Sequence, residues 1–204
     1  PGYSPAYLNR GICHYEMGHT DLALNDLNIT LEISSESELL KQAKQYSALC
    51  RAANSLPECD KGRAYIEKGK YDQAIVNLTK VTESNPSNAY AYFYLGMAYD
   101  NKDEYDLAVT ALDKAIQLDP ELFGPHNNRG WVYLKKKLYW SAIADFTEEI
   151  RLNPALVAVY LNRANAYYNT GQPGLAIADL KKALGLSSDP EQIEKIKRQI
   201  EAIS

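Results

Sequence analysis

Small, aromatic and branched residues recur along this chain at fixed offsets, with polar residues filling the positions between them. A glycine or alanine returns every 34 residues, at Gly62, Gly96, Gly130 and Ala164. With that residue numbered position 8 of each copy, position 11 is Tyr65, Tyr99, Tyr133 and Tyr167, and position 20 is Ala74, Ala108, Ala142 and Ala176. Position 24 is Leu78, Leu112, Phe146 and Leu180, and an earlier copy carries Gly11, Ala23 and Leu27 in the same register. A repeat of this length holds two antiparallel helices and two turns. A unit that small cannot bury its own apolar face, so units must stack and share a core. Positions 8 and 20 have almost no side chain, which lets the two helices of a unit approach closely, and positions 11 and 24 fill the space so made. Asn85–Pro86, Asp119–Pro120 and Asn153–Pro154 stop the second helices, because proline lacks a donor and disfavours helix in the residue before it.

The pattern predicts units over about 4–35, 55–88, 89–122, 123–156 and 157–188. Gly11 and Gly62 are 51 residues apart, one and a half repeats, so an odd helix is inserted over about 36–55. There Leu39, Leu40, Ala43, Tyr46, Ala48, Leu49, Ala52 and Ala53 follow helical spacing, and Pro57 marks the next start. Either a degenerate unit or a two-unit N-terminal subdomain accounts for it, and both interrupt regular stacking. Cys50 and Cys59 flank this junction, and whether they bridge depends on geometry. Pro190, followed by Ile193, Ile196, Ile200 and Ile203, predicts a capping helix over about 190–203 that shields the last unit. Residues 1–204 are thus expected to form one elongated repeat domain.

These positions, with Pro86, Pro120 and Pro154 at position 32 before a lapse to Ser188, resemble the tetratricopeptide repeat (TPR) family over nearly the whole chain. The resemblance implies an all-α fold, a right-handed superhelical solenoid of antiparallel helix pairs. It also implies a concave groove, lined by the first helices, that receives a peptide or partner helix. Carried onto this sequence, the groove positions are Tyr90, Phe93, Tyr94 and Met97, followed by Asp100 and Asn101. The next units give Asn127, Asn128 and Trp131 with Leu134 and Lys135, then Asn162, Asn165 and Tyr168 with Leu161 and Asn169. An asparagine both donates and accepts, so Asn128 and Asn162 could hold a peptide backbone whatever its sequence. Rigid aromatics supply apolar contact at low entropic cost. For Tyr90, Trp131 and Tyr168 the alternative is packing between neighbouring first helices. Some family members carry a carboxylate clamp for acidic chaperone tails. Its basic places here hold Phe93, Ala158 and Asn162, and Met97 stands where an asparagine is needed. Only Asn128 fits, which disfavours a chaperone-tail adaptor.

A comparison among the copies assigns one further contact. Where position 7 is Arg10, Arg129 or Arg163, position 23 is Asp26, Asp145 or Asp179. Where it is Lys61 the partner is Asn77, and where it is Leu95 the partner is Ala111. The charge appears and disappears in pairs, so positions 7 and 23 are expected to touch across the helices of one unit. Trp140 takes position 18, where Asp21, Asp72 and Asp106 stand in other copies. It is expected either to lie partly exposed outside the groove, as a contact for another subunit or domain, or to pack beside Tyr139 or the neighbouring loop.

Composition narrows the function classes. Net charge −4 with 24% charged residues argues against a nucleic-acid surface, which clustered Lys and Arg would mark. The one basic run, Lys135–Lys137, suits a solvated helix C-terminus. No stretch approaches the ~20 apolar residues of a membrane span. Three cysteines make no disulfide framework and lean towards free thiols in a reducing compartment such as the cytoplasm, leaving the compartment itself open. Pro1 in place of an initiator methionine suits a processed or excised form. Asn28 and Asn77 head glycosylation-like triplets but fall inside second helices, and are read as coincidence. His14, His19 and His126 share no metal-ligand spacing and no glycine-rich loop could cradle phosphate, so no catalytic residue, metal or cofactor is expected. His126, at a usually aromatic position, is expected to pack. The expected function is a non-catalytic protein-interaction module that binds a peptide or helix of a partner. A self-assembling scaffold, forming a homo-oligomer, and a regulatory segment of a larger enzyme are the alternatives.

Overall fold

The computed structural model describes residues 4–17 and 19–203, with backbone but not side chains for residues 20, 21, 48 and 51–58. Asp21, Ala48, Ala52, Ala53 and Pro57, named above, therefore lie outside the described side chains. The described residues form eleven α-helices and no strand. They divide into two compact units, residues 1–91 and 92–204.

The first unit contains α1 (Ser4–Glu16), α2 (Thr20–Ile33), α3 (Ser37–Glu67), α4 (Tyr71–Ser84) and the start of α5 (Ala89–Asn101). α1 packs on α2 and α3, and α3 on α2 and α4. Leu8, Ala23, Leu27, Ala43 and Cys50 make its core. Where the sequence suggests two helices meeting near residue 55, α3 runs as one helix from Ser37 to Glu67. No glycine stands between Ser37 and Lys61 to stop it. Cys50 and Cys59 are both buried. Nine residues of helix hold them about 13 Å apart, beyond the reach of a disulfide. Asn88 links the end of this unit to α3: its Nδ2 donates to Cys59 Sγ (3.4 Å), and its Oδ1 caps α5 by accepting from the Ala91 N–H (3.0 Å).

The second unit continues with α6 (Tyr105–Leu118), α7 (Pro125–Lys135), α8 (Tyr139–Leu152), α9 (Val157–Asn169), α10 (Pro173–Leu186) and α11 (Pro190–Ile203). Each helix from α6 packs on the next, and α7 also meets α9. On α11, Ile196 is buried and Ile200 and Ile203 pack against the Leu180 cluster of α9 and α10, so charged residues are left on the outer face.

One contact recurs in both units and explains the period. The alanines at position 20 are fully buried in every copy. A Cβ placed on Gly11, Gly62, Gly96 or Gly130 would come within 3.0, 2.5, 2.6 or 2.7 Å of Leu27, Leu78, Leu112 or Phe146. Positions 8 and 24 are thus pressed together across each helix pair. The turn that follows the first helix is also repeated: position 15 adopts left-handed backbone at Gly69, Asp103, Lys137 and Gly171 (φ 68°, 60°, 58° and 72°). That conformation ends a helix by letting the chain fold back over its last carbonyls.

Candidate functional site

The Arg–Asp pairs tie one face of a first helix to the second helix of its own unit. In the first unit Arg10 Nε and Nη2 donate to the two oxygens of Asp26 (2.6 and 2.7 Å). This bidentate bond, more than any other influence, holds the Asp26 carboxyl below its ordinary range. Arg129 binds Asp145 in the same way (2.8 and 2.6 Å), and Arg163 binds Asp179 (both 2.8 Å). Leu95 and Ala111, the apolar version, are both buried. The structure adds what the comparison of copies did not supply. Arg129 Nη1 also reaches Asp113, and Arg163 Nη1 reaches Thr147 Oγ1 (3.0 Å), each on the second helix of the preceding repeat. One guanidinium therefore ties its own unit to the one before it. Burial works against the charge on Arg129, but the bonds to Asp145 and Asp113 outweigh it and raise its pKa.

The start of α7 is held from α8. Buried Glu149 accepts from the Gly124 N–H (2.9 and 3.1 Å) and the Asn127 N–H (3.1 Å), placing a carboxylate at the positive end of the helix. Position 27 is Thr30, Val81, Ala115 and Ala183 in the other copies. A single acid among small or apolar residues is the signal in the sequence that marks Glu149. His126 is buried as expected, but its Nδ1 is hydrogen-bonded to Asp145 Oδ1 (3.1 Å), so it belongs to a polar network rather than to apolar packing.

The candidate groove residues have different settings. Tyr90 is exposed and lies in the first unit. In the second unit Phe93 is partly buried, touching the site where a Gly124 Cβ would stand (2.8 Å), and its ring lies 5.2 Å from that of Tyr94. Met97 is half-buried, and its carbonyl accepts from Asn101 Nδ2 (2.8 Å). α7 and α9 lie side by side, joined by Asn162 Nδ2 donating to Asn127 Oδ1 (3.2 Å). Asn128 Nδ2 turns back to the Gly124 carbonyl (2.9 Å), and Asn165 accepts from Asn169 (2.7 Å). Trp131 is 41% exposed and Tyr168 57%. Lys135 sits 6.0 Å from the Trp131 ring and pairs with Asp100 (2.9 Å), while Lys136 pairs with Asp106. The basic run is therefore not simply solvated, since two of its three charges reach the preceding repeat.

Family and structure comparisons agree with this geometry. A family model described as tetratricopeptide repeat matches residues 59–122, and another of the same description matches residues 157–190. Comparison with curated proteins finds no match. Among solved structures, the MamA protein is 24% identical over 97% of this chain and 96% of its own, with a TM-score of 0.59. MamA 41-end from Desulfovibrio magneticus RS-1 is 25% identical over 75% of this chain and 83% of its own, with a TM-score of 0.65. YrrB, described as a TPR protein with an unusual peptide-binding site, is 17% identical over 94% and 90%, with a TM-score of 0.59. With its pattern repeated in register and the glycine–leucine contact rebuilt in successive helix pairs, this all-α chain carries tetratricopeptide repeats over residues 59–122 and 157–190.

Proposed function

We propose that this protein is a non-catalytic adaptor whose first helices α7 and α9 hold an extended peptide or a helix of a protein partner. The tetratricopeptide repeats carry the general part, a protein-interaction module. The observation that carries the finer part is the Asn127–Asn162 pair between the two helices. Their mutual bond leaves a donor on Asn127 and an acceptor on Asn162, the complement of one peptide unit. Trp131 and Tyr168, exposed on the same two helices, would supply apolar contact beside it. Because Asp100 already neutralises Lys135, the reading favours an uncharged segment over an acidic tail. The peptide-binding site named for YrrB is consistent with such use of the fold.

The test is capture of partners from a native extract on the immobilised chain, beside a Trp131→Ala, Asn127→Ala, Asn162→Ala variant shown by circular dichroism to be folded. A partner held by the natural chain and lost by the variant supports the adaptor. Identical capture by both removes it.

A further inference from the structure

The turn between α7 and α8 departs from its counterparts at three sites. Position 15, left-handed in each described copy, is Lys137 here, and a lysine carries strain there that glycine avoids. Position 16 is His19, Lys70, Glu104 and Gln172 elsewhere but Leu138 here, and it is exposed. Position 18 is Asp72 or Asp106 in the two preceding copies but Trp140 here, 67% exposed. The three residues line one shallow cavity of about 380 Å³, with Asn169 and Thr170 opposite. Lys135 and Lys136 hold Asp100 and Asp106, whereas the Lys137 ammonium has no ion-pair partner among the described residues. An aromatic floor with a cation at its rim and no acid in its lining suits an apolar side chain flanked by carboxylates.

The same unit displays such a segment at the other end of α7. The loop from Asp119 to Phe123 is anchored by buried Leu122 and leaves Phe123 58% exposed. Of its two acids Glu121 is exposed and Asp119 half-buried. Asp119 Oδ1 accepts from the Glu121 N–H (3.1 Å), and Glu121 Oε1 accepts from Arg151 (3.0 Å). The eleven residues of α7 hold this loop about 16 Å from the cavity. A rigid helix cannot fold its two ends together, so a pairing of the two features takes two molecules.

We propose that a second copy of this chain docks its Asp119–Phe123 loop into the cavity, Phe123 against Leu138 and Trp140, with the Asp119 carboxylate, which pairs with no cation among the described residues, facing Lys137. The two patches differ and lie at opposite ends of one helix. Two copies with antiparallel α7 helices make this contact twice, each loop in the other's cavity, and close as a two-fold dimer; made once per pair, the contact continues head to tail.

Sedimentation velocity over a concentration series, on the natural chain, Trp140→Ala and Phe123→Ala, tests this. Both residues are exposed, and circular dichroism with thermal melting confirms that each variant is folded. The natural chain should gain mass with concentration, and each variant should associate at least about tenfold more weakly. An equimolar mixture of the two variants should form a dimer and stop there, because one intact patch remains on each molecule. A natural chain that stays monomeric to about 1 mM, a variant that associates normally, or a mixture that stays monomeric would overturn the proposal. Loss in Trp140→Ala but not in Phe123→Ala would overturn the loop as occupant and assign the cavity to another partner. Trp131→Ala should associate like the natural chain, which separates this contact from the groove.

Discussion

Replacing Gly130 with alanine isolates the close approach on which each helix pair depends. The added Cβ would lie 2.7 Å from Phe146 Cε1 and 3.0 Å from two further ring atoms. Phe146 is fully buried, so its ring can yield only by pressing on packed neighbours. Overpacking of this kind costs about 1–3 kcal/mol. Alanine in a helix is itself favoured over glycine by up to about 1 kcal/mol, which offsets part of the loss. Gly185 on α10 has nothing within 4 Å of its Cβ position, so Gly185→Ala reports the propensity gain alone. The stability difference between the two variants, from urea unfolding followed by circular dichroism, should therefore be about 1–3 kcal/mol against Gly130→Ala. The last repeat shows how the strain can be relieved, since Ala164 stands at position 8 and Leu180 at position 24. Gly130→Ala with Phe146→Leu rebuilds that pair, and the double variant should exceed the sum of the single changes by at least about 0.5 kcal/mol. If Gly130→Ala stabilises the protein as much as Gly185→Ala does, the helices have spare room and the reasoning about position 8 fails.

Three other changes probe the polar contacts. Among the described residues, Arg129→Leu leaves buried Asp145 with only His126. It should cost about 3–5 kcal/mol, most of it recovered in Arg129→Leu/Asp145→Ala, which copies Leu95 and Ala111; no recovery in denaturant unfolding would count against a self-contained pair. Asp26 has a folded pKa below its unfolded value, so its contribution is full above the ordinary carboxylate range and is lost as pH falls through the folded value. Arg10→Met should accordingly be less stable than the natural chain at neutral pH, with the gap closing below about pH 4; a gap independent of pH would refute this. Glu149→Ala removes the acceptor of two backbone donors at the start of α7 and should cost about 1.5–3 kcal/mol. Faster hydrogen exchange at Gly124 and Asn127 is the local readout, and unchanged protection there would show that the cap does not hold the helix.

How much of the candidate site was legible divides along the same line as the fold. The aromatics Trp131 and Tyr168 and the amides of α7 and α9 are candidates because the resemblance carries the family's groove positions onto this register, and a surface position keeps its place from copy to copy. The bond between Asn127 and Asn162 was not foreseen, and neither was the pairing of Lys135 with Asp100. Each joins different positions of successive units, so the internal comparison that found Arg129 opposite Asp145 had no second example to align.

The sequence by itself determined the helix pairs, the prolines that end them, the pressed contact of positions 8 and 24, and the Arg–Asp partners. All of these lie within one repeat, where a short chain segment and a fixed period leave one arrangement and the copies serve as replicates. Only the tertiary structure decided that Arg129 and Arg163 also reach Asp113 and Thr147, that Glu149 holds the start of α7, and that α3 continues from Ser37 to Glu67. These depend on how one unit is placed against the next, and on residues that occur once. A single charge or a missing stop has no periodic counterpart, and its partner is chosen by packing in three dimensions.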